Sequence, residues 1–80
     1  MTQYNAADVV GRPARRLKRL RAIREDHAMS QAELAKKAEL SRATIVSLES
    51  GRAGAQYATI RRIAEVLSVQ PADLFGDDQP

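Results

Sequence analysis

Apolar residues recur along this chain at helical spacing, and its glycines and prolines fall between the periodic segments. The clearest stripe runs through segment 57–67, where apolar side chains repeat at the spacing of one helix face: Tyr57, Ile60, Ile63, Ala64 and Leu67. A second stripe follows Pro13, a residue that suits the first turn of a helix. Its apolar positions are Leu17, Leu20 and Ile23. The pattern predicts an all-α fold in which segments 13–26 and 57–67 are core helices.

Local capping signals predict two further helices in the middle of the chain. Ser30 precedes Glu33 by three residues, which is the reciprocal capping box of a helix start. Ser41 follows a short break and is a good cap for a third helix over 42–50. Gly51 ends that helix, because glycine readily adopts the left-handed conformation of a C-cap. Two short helices are therefore expected to abut.

Together these signals predict one domain with five helices. Pro71 opens a last short helical turn, from which Leu74 and Phe75 fold back on the core. A chain of 80 residues has room for a single small core. We expect an N-terminal extension over 1–12, a folded domain over 13–76 and a tail over 77–80.

Charge is distributed unevenly although the net charge is only +3. Segment 12–24 contains seven basic residues and no acid: Arg12, Arg15, Arg16, Lys18, Arg19, Arg21 and Arg24. From residue 63 onward the charged residues are all acidic: Glu65, Asp73, Asp77 and Asp78. A cationic start favours a polyanionic partner, although ordinary exposed helices are also rich in arginine.

Several classes of function are not expected from the composition. The chain has no cysteine and a single histidine, so we expect neither a disulfide framework nor a metal site. It offers no paired carboxylates, no nucleophile with a base and no glycine-rich phosphate loop, so we expect no enzyme and no cofactor. No apolar run approaches the roughly 18 to 20 residues that span a bilayer. We expect a cytoplasmic protein without membrane contact.

The third predicted helix has an unusual outer face. A turn of about 100° per residue places Ile45, Leu48 and Glu49 on its inner side. The opposite side carries only small or uncharged residues: Ala43, Val46, Ser47 and Ser50. A solvated helix face usually carries Lys and Glu, so this smooth face suits insertion into the DNA major groove. An ordinary exposed helix of low charge is the alternative.

Three stretches of the chain carry a family resemblance. They are QAELA at 31–35, LSRATI at 40–45 and LESGR at 48–52. These stretches resemble the Cro and phage-repressor (Xre) type of helix-turn-helix, without gaps and from about Leu17 through Phe75. The resemblance implies a domain similar to that of lambda repressor, with the motif at 30–50 and helix 41–50 in the major groove.

The resemblance also implies roles for individual residues. The positions that would read bases are Arg42, Ala43 and Ser47, with Val46 adding an apolar contact. The positions that would contact phosphates are Gln31, Ser41, Thr44 and Arg52. For Ser41 and Thr44, helix capping alone is an equally good explanation, and Gln31 has the alternative of an ordinary polar residue in the first turn.

Glu49 projects toward the core in this prediction, and a buried carboxylate needs a charged partner. The resemblance pairs it with Arg24 in a structural bridge between the first and third helices. The alternative is two exposed side chains that never meet.

The chain also departs from the family pattern. Glu39 and Ser68 occupy positions where the family often has glycine, and Ala55 stands where it often has proline. A non-glycine residue in the left-handed region costs about 1 kcal/mol, which the fold should tolerate.

The sequence thus predicts a sequence-specific regulator of transcription that binds double-stranded DNA. We expect a repressor that binds an inverted repeat as a homodimer. Candidate dimer surfaces are Val9-Val10 and the C-terminal residues Val69, Leu74 and Phe75, although the latter three are expected to be mainly core. The alternative is an antitoxin whose segment 1–12 and acidic tail bind a toxin partner. RNA binding is weaker, because three aromatic residues make a poor stacking platform.

Overall fold

The computed structural model describes residues 14–76 of the chain, and five α-helices make up this part. In chain order they are α1 Leu20–Asp26, α2 Gln31–Ala38, α3 Arg42–Ser50, α4 Tyr57–Leu67 and α5 Pro71–Phe75. The prediction of an all-α, five-helix domain containing a helix-turn-helix is confirmed. Expectations that concern Val9-Val10, Arg12, the N-terminal extension and the acidic tail lie outside the described residues.

The start of the first helix differs from the prediction. Segment 14–19, which the apolar stripe placed in a helix, is not helical, and α1 begins only at Leu20. Its backbone groups bond elsewhere instead: Arg15 and Ala55 form an antiparallel bridge with N···O distances of 2.9 and 2.8 Å. The Arg19 N–H likewise donates to the Leu74 carbonyl at 3.1 Å. Leu17 is still buried in the core, as the apolar stripe predicted, although the backbone at this residue is not helical.

The Arg15 side chain adds a second tie between this segment and the C-terminal end of the domain. Its guanidinium carbon lies 3.9 Å from the centroid of the Phe75 ring, which is a cation–π contact. Segment 14–19, which we call the lead segment, is therefore attached to both the loop before α4 and the short helix α5.

The capping residues lie where the local signals predicted. Ser30 Oγ accepts the Glu33 N–H at 3.0 Å, and the Glu33 carboxylate accepts the Ser30 N–H at 3.0 Å. Ser41 Oγ accepts the Thr44 N–H at 3.0 Å. Gly51 ends α3 with a φ of +80°. These caps fix the ends of α2 and α3 and thus the short connection between them.

One hydrophobic core joins the helices, and α4 contributes most to it. Its buried residues are Ile60, Ile63, Ala64 and Leu67. Tyr57 does not belong to this set: the prediction that it is buried is wrong, since the residue is 45% exposed. Tyr57 is the first residue of α4, and its ring lines a surface groove beside Pro71 and Phe75 rather than packing under a helix. Leu74 is fully buried, while Val69 and Phe75 are partly buried against the core.

Within residues 14–76, three residues other than glycine adopt a positive φ. Glu39 at +60° and Ser68 at +56° follow α2 and α4, at the two positions where the family often has glycine. Ala28, at +53° in the turn after α1, was not anticipated. Each adopts a conformation that L-residues occupy at a cost.

Replacing Ala28 with glycine should stabilise the protein. Relief of the left-handed backbone strain stabilises the folded protein by more than the added flexibility of glycine stabilises the unfolded chain. We therefore expect the free energy of unfolding to rise by about 0.5 kcal/mol. Ala58→Gly is the matched control, because Ala58 is exposed within α4. Because Ala58 is the second residue of α4, where glycine costs less than in a helix interior, that change should lower the free energy of unfolding by about 0.5 kcal/mol. Urea unfolding measures both, and a loss of stability in both variants would contradict the argument.

Candidate nucleic-acid interface

Helix α3 lies on the surface with one side anchored in the core and the other free. Ile45 and Leu48 hold the inner side and are 0% and 3% exposed. Helix α3 packs mainly against α2, to which a turn of three residues, 39–41, joins it. The outer side is therefore held at a fixed orientation without being covered by the rest of the described chain.

The residues expected to read bases share this outer side. Arg42 and Ala43 are exposed in the first turn of α3, and Val46 is 39% exposed in the next turn. Ser47 is only partly exposed, and its carbonyl accepts hydrogen bonds from the Ser50 hydroxyl and the Arg52 N–H, both at 3.1 Å. The structure thus brings Arg42, Ala43 and Val46 together on one small surface and shields Ser47 more than the others.

The residues expected to contact phosphates are placed differently from one another. Ser41 and Thr44 bond within the chain, with their hydroxyl oxygens 2.9 Å apart, so their capping role is present. Arg52 is exposed just after the end of α3. Gln31 is partly buried at the first position of α2, where its Nε2 donates to Glu49 Oε1 at 3.0 Å. Its Oε1 faces Arg42, whose Nη2 lies 3.5 Å away.

Arg24 and Glu49 form the ion pair that the resemblance implied. Arg24 Nε lies 2.5 Å from Glu49 Oε2, and Nη2 lies 3.0 Å from Oε1, so the contact is bidentate. The third nitrogen, Nη1, donates to the Met29 carbonyl at 2.8 Å. Only 10% of the Arg24 side chain and 4% of the Glu49 side chain are exposed. The pair therefore joins α1, the turn before α2 and the inner side of α3.

Opposing effects act on the pKa of Glu49. Burial alone would raise the pKa of this carboxyl, but hydrogen bonds from Arg24 and Gln31 and the positive charge of Arg24 lower it below its ordinary value. The hydrogen bond to Glu49 raises the pKa of Arg24 against the opposing effect of burial. Glu49 is thus held as a carboxylate, although it lies almost out of contact with solvent.

A cationic cleft lies beside the first turn of α2. Its walls are Arg21, Arg24, Ser30, Gln31, Ala32 and Arg42. Arg21 was not among the site residues expected from the sequence. It pairs with Glu25 at 3.1 Å and keeps 70% of its side chain exposed. Its spacing of three residues from Arg24 could have indicated that the two arginines lie on the same helix face. The cleft combines fixed positive charge with the positive end of a helix dipole, which suits a phosphate.

Residues 14–76 offer neither a cluster of metal ligands nor a membrane-spanning helix. No group of three His, Asp or Glu side chains in this range could hold a metal ion. No helix in the same range is long and apolar enough to span a bilayer.

Two capped helices joined by a short turn, the second with a low-charge face flanked by arginines, define a helix-turn-helix domain. The family model described as "Helix-turn-helix" matches residues 20–74, which is more than half of the chain. The chain belongs to this helix-turn-helix family of DNA-binding transcriptional regulators.

Two relatives are similar in sequence. The immunity repressor protein of Bacillus phage phi105 is 32% identical over 60 residues, covering 75% of this chain but only 42% of the repressor. An uncharacterised HTH-type transcriptional regulator of Archaeoglobus fulgidus is 40% identical over 57 residues, covering 71% of this chain and 81% of the regulator. The chain therefore matches less than half of the length of the phage protein.

Two solved structures have a similar fold. A hypothetical transcription factor from Neisseria, NHTF, aligns with a TM-score of 0.67 and 28% identity, over 70% of this chain and 63% of its own. The restriction-modification controller protein C.AhdI from Aeromonas hydrophila aligns with a TM-score of 0.70 and 29% identity, over 91% of this chain and all of its own. Among the four names, two describe a transcription factor or a transcriptional regulator, one a repressor and one a controller protein.

Replacing Glu49 with alanine should destabilise the domain strongly. Arg24, only 8% exposed, would keep its charge with no carboxylate nearer than that of the half-exposed Glu25, 4.0 Å away. Loss of one partner of a buried ion pair costs about 3 kcal/mol, measurable by urea unfolding at pH 7. The control is Arg24→Met with Glu49→Met, which removes both charges and should lose clearly less than the single variant. Equal losses would argue against a coupled pair.

Acidification should remove the stability that Glu49 supplies as a carboxylate. Because its pKa is lower in the folded than in the unfolded protein, this stability is present above the unfolded value of about 4.3 and lost as pH falls through the folded pKa. Glu49→Gln resembles the protonated side chain and lacks this dependence. The difference in free energy of unfolding between the protein and this variant should therefore shrink from pH 7 toward pH 2. A difference that stays constant would refute it.

Proposed function

We propose that this protein is a sequence-specific regulator of transcription that represses by binding an inverted-repeat operator in double-stranded DNA as a homodimer. The observation that carries the proposal is the outer side of α3, which is small, nearly uncharged and open, with Arg42 and Arg52 at its two ends. Membership of the helix-turn-helix family supports it. The name of the phage relative, an immunity repressor, supports repression over activation.

Base recognition follows from the chemistry of this outer side. The major groove is about 12 Å wide and admits an α-helix. Arg42 then pairs bidentately with the O6 and N7 atoms of a guanine, while Ala43 and Val46 contact thymine methyl groups. Ser47, which is partly shielded, supplies a weaker hydrogen bond from its hydroxyl. The small side chains also let the backbone of α3 approach the base edges closely.

Phosphate contacts then fix the position of α3 in the groove. The first turn of α2 offers backbone N–H groups beside Arg21 and Arg42 in the cationic cleft. An amide group has two N–H donors, so Gln31 can donate one to Glu49 and the other to a phosphate. Ser41, Thr44 and Arg52 contribute further contacts along the backbone.

The proposed dimer follows from the size of the interface. A single module buries too little DNA surface for strong specificity, and a two-fold site with half-sites about 34 to 36 Å apart is the usual solution. Leu74 is fully buried, so it cannot form a dimer surface, whereas Val69 and Phe75 are partly exposed. The toxin-binding alternative rested on segment 1–12 and the acidic tail, both outside the described residues, and none of the named relatives favours it.

Selection from a pool of random duplex DNA tests the proposal as a whole. We expect recovery of one preferred sequence with two-fold symmetry, bound with an affinity that falls steeply with salt concentration. Equal binding of all duplexes would refute sequence recognition. A preferred site without symmetry would refute the dimer but not the helix in the groove.

Arg42→Ala and Arg52→Ala should separate base reading from phosphate contact. Arg42→Ala is expected to cost about 1 to 3 kcal/mol on the selected duplex and little on a random duplex. Arg52→Ala should weaken both duplexes by a similar factor, because a phosphate contact carries no base information. Fluorescence anisotropy titrations of both variants on both duplexes measure this. If Arg42→Ala lowered the two affinities equally, its role in reading bases would be excluded.

A further inference from the structure

The lead segment, residues 14–19, is attached to the loop that follows α3. Arg15 and Ala55 exchange two backbone hydrogen bonds of 2.9 and 2.8 Å, and Ala55 is only 3% exposed. The bridge is therefore buried on its Ala55 side, and it joins positions 40 residues apart. It fixes the lead segment beside the C-terminal end of the proposed recognition helix.

Gly54 and Ala55 make this attachment possible, Gly54 because it has no side chain and Ala55 because it has a backbone N–H. A Cβ atom on Gly54 would lie 2.9 Å from Ala14 Cβ and 3.1 Å from the Arg15 carbonyl oxygen, so any larger residue would push the lead segment away. Ala55 supplies an N–H that donates to the Arg15 carbonyl. A proline at this position, where the family pattern often has one, has no N–H and could not form that bond. The departure from the pattern thus permits a contact that proline would prevent.

The bridge determines where Arg16 lies. Arg16 Nη1 is 3.3 Å from the position that a Cβ on Gly51 would occupy, so its guanidinium covers the C-cap of α3. Arg16 also lines a cleft with Lys18 and with Leu48, Glu49 and Ser50 in the last turn of that helix, where the Glu49 carboxylate is already bonded to Arg24 and Gln31. This turn contains no basic residue of its own. Because the C-terminal end of a helix carries partial negative charge, the guanidinium is attracted there.

Arg16 has no acidic partner within residues 14–76. Arg21, Arg24 and Arg62 each have a carboxylate oxygen within 4.0 Å, whereas none lies this close to Arg16. Arg52, which directly follows Gly51, is exposed and also forms no ion pair within residues 14–76. Two unpaired cations near the same C-cap attract an anion from outside this part of the chain.

We infer that Arg16 is a further DNA phosphate contact, which the Arg15–Ala55 bridge positions at the C-terminal end of α3. The inference rests on the proposed function. Phosphate contacts then lie at both ends of α3. The first turn of α2 supplies them at its N-terminal end, and Arg16 with Arg52 supplies them at its C-terminal end.

Arg16→Ala, compared with Arg19→Ala, tests the contact. Arg19 is an exposed cation of the same lead segment, but it lies beside α5 near Asp73. On the selected duplex, Arg16→Ala should weaken binding about three- to tenfold and lower the slope of log K against log salt by about 1 per protomer. Arg19→Ala should leave both unchanged. Equal effects of the two variants would overturn the inference.

Arg16→Lys separates a phosphate contact from packing. A lysine ammonium binds phosphate as a point charge, so this variant should restore most of the salt slope. Failure of lysine to restore any of it would overturn the phosphate role.

Ala55→Pro tests the positioning by the bridge. The variant loses the donor to the Arg15 carbonyl, so it should bind DNA as weakly as Arg16→Ala, and adding Arg16→Ala should then change little. A thermal melt of each variant establishes that it is folded. If Ala55→Pro is unfolded, Gly54→Ala replaces it, since the added Cβ displaces Ala14 in the same bridge. Additive losses would overturn the positioning role of the bridge.

The outcomes distinguish this inference from the proposed function. If the unaltered protein selects no sequence, the proposed function fails and this inference fails with it. If the protein selects a sequence but Arg16→Ala behaves as Arg19→Ala does, only the inference fails.

Discussion

The buried ion pair between Arg24 and Glu49 is the interaction on which the orientation of α3, and with it the proposed interface, depends. Removing two charges from water costs several kcal/mol per ion, which only close and complete pairing offsets. Here Glu49 accepts three hydrogen bonds, two from Arg24 and one from Gln31, and the third nitrogen of Arg24, Nη1, donates to the Met29 carbonyl. Such a network tolerates little displacement of α1 relative to α3. The orientation of the outer side of α3 is therefore set from inside the protein.

The same acid also connects the core to the proposed base-reading surface. Glu49 holds the Gln31 amide by one N–H, which leaves the Gln31 carbonyl oxygen facing Arg42 at 3.5 Å. A long flexible arginine loses much side-chain entropy when it binds a base, and a neighbour that restrains it beforehand reduces this cost. Because Gln31 is in turn held by a nearly solvent-free carboxylate, the restraint extends from the interior to the surface. Buried polar residues thus serve the surface as well as the fold.

Local sequence signals predicted what is locally determined. The ends of α2, α3 and α4 follow from Ser30, Ser41 and the apolar spacing of 57–67, each readable within a few residues. The start of the first helix could not be predicted in this way, because a hydrogen-bond partner 40 positions away, Ala55, removes residues 14–19 from the helix. Periodicity also could not show that Tyr57 lies outside the buried set, since it does not reveal where the neighbouring helices end. The contact of Arg24 with Glu49 required the family resemblance, and that of Gln31 with Glu49 required coordinates.

The departures from the family pattern differ in their consequences, and the difference is physical. Glu39 replaces an expected glycine, yet the turn retains its geometry because backbone bonds define it: the N–H groups of Glu39 and Leu40 donate to carbonyls of α2 at 3.2 and 2.8 Å. The substitution therefore costs strain but leaves the approach to α3 unchanged. At position 55 the change adds a backbone donor and creates a new bond to the lead segment. A residue that alters which backbone groups can pair changes which segments of the protein are joined, whereas one that only strains a turn does not.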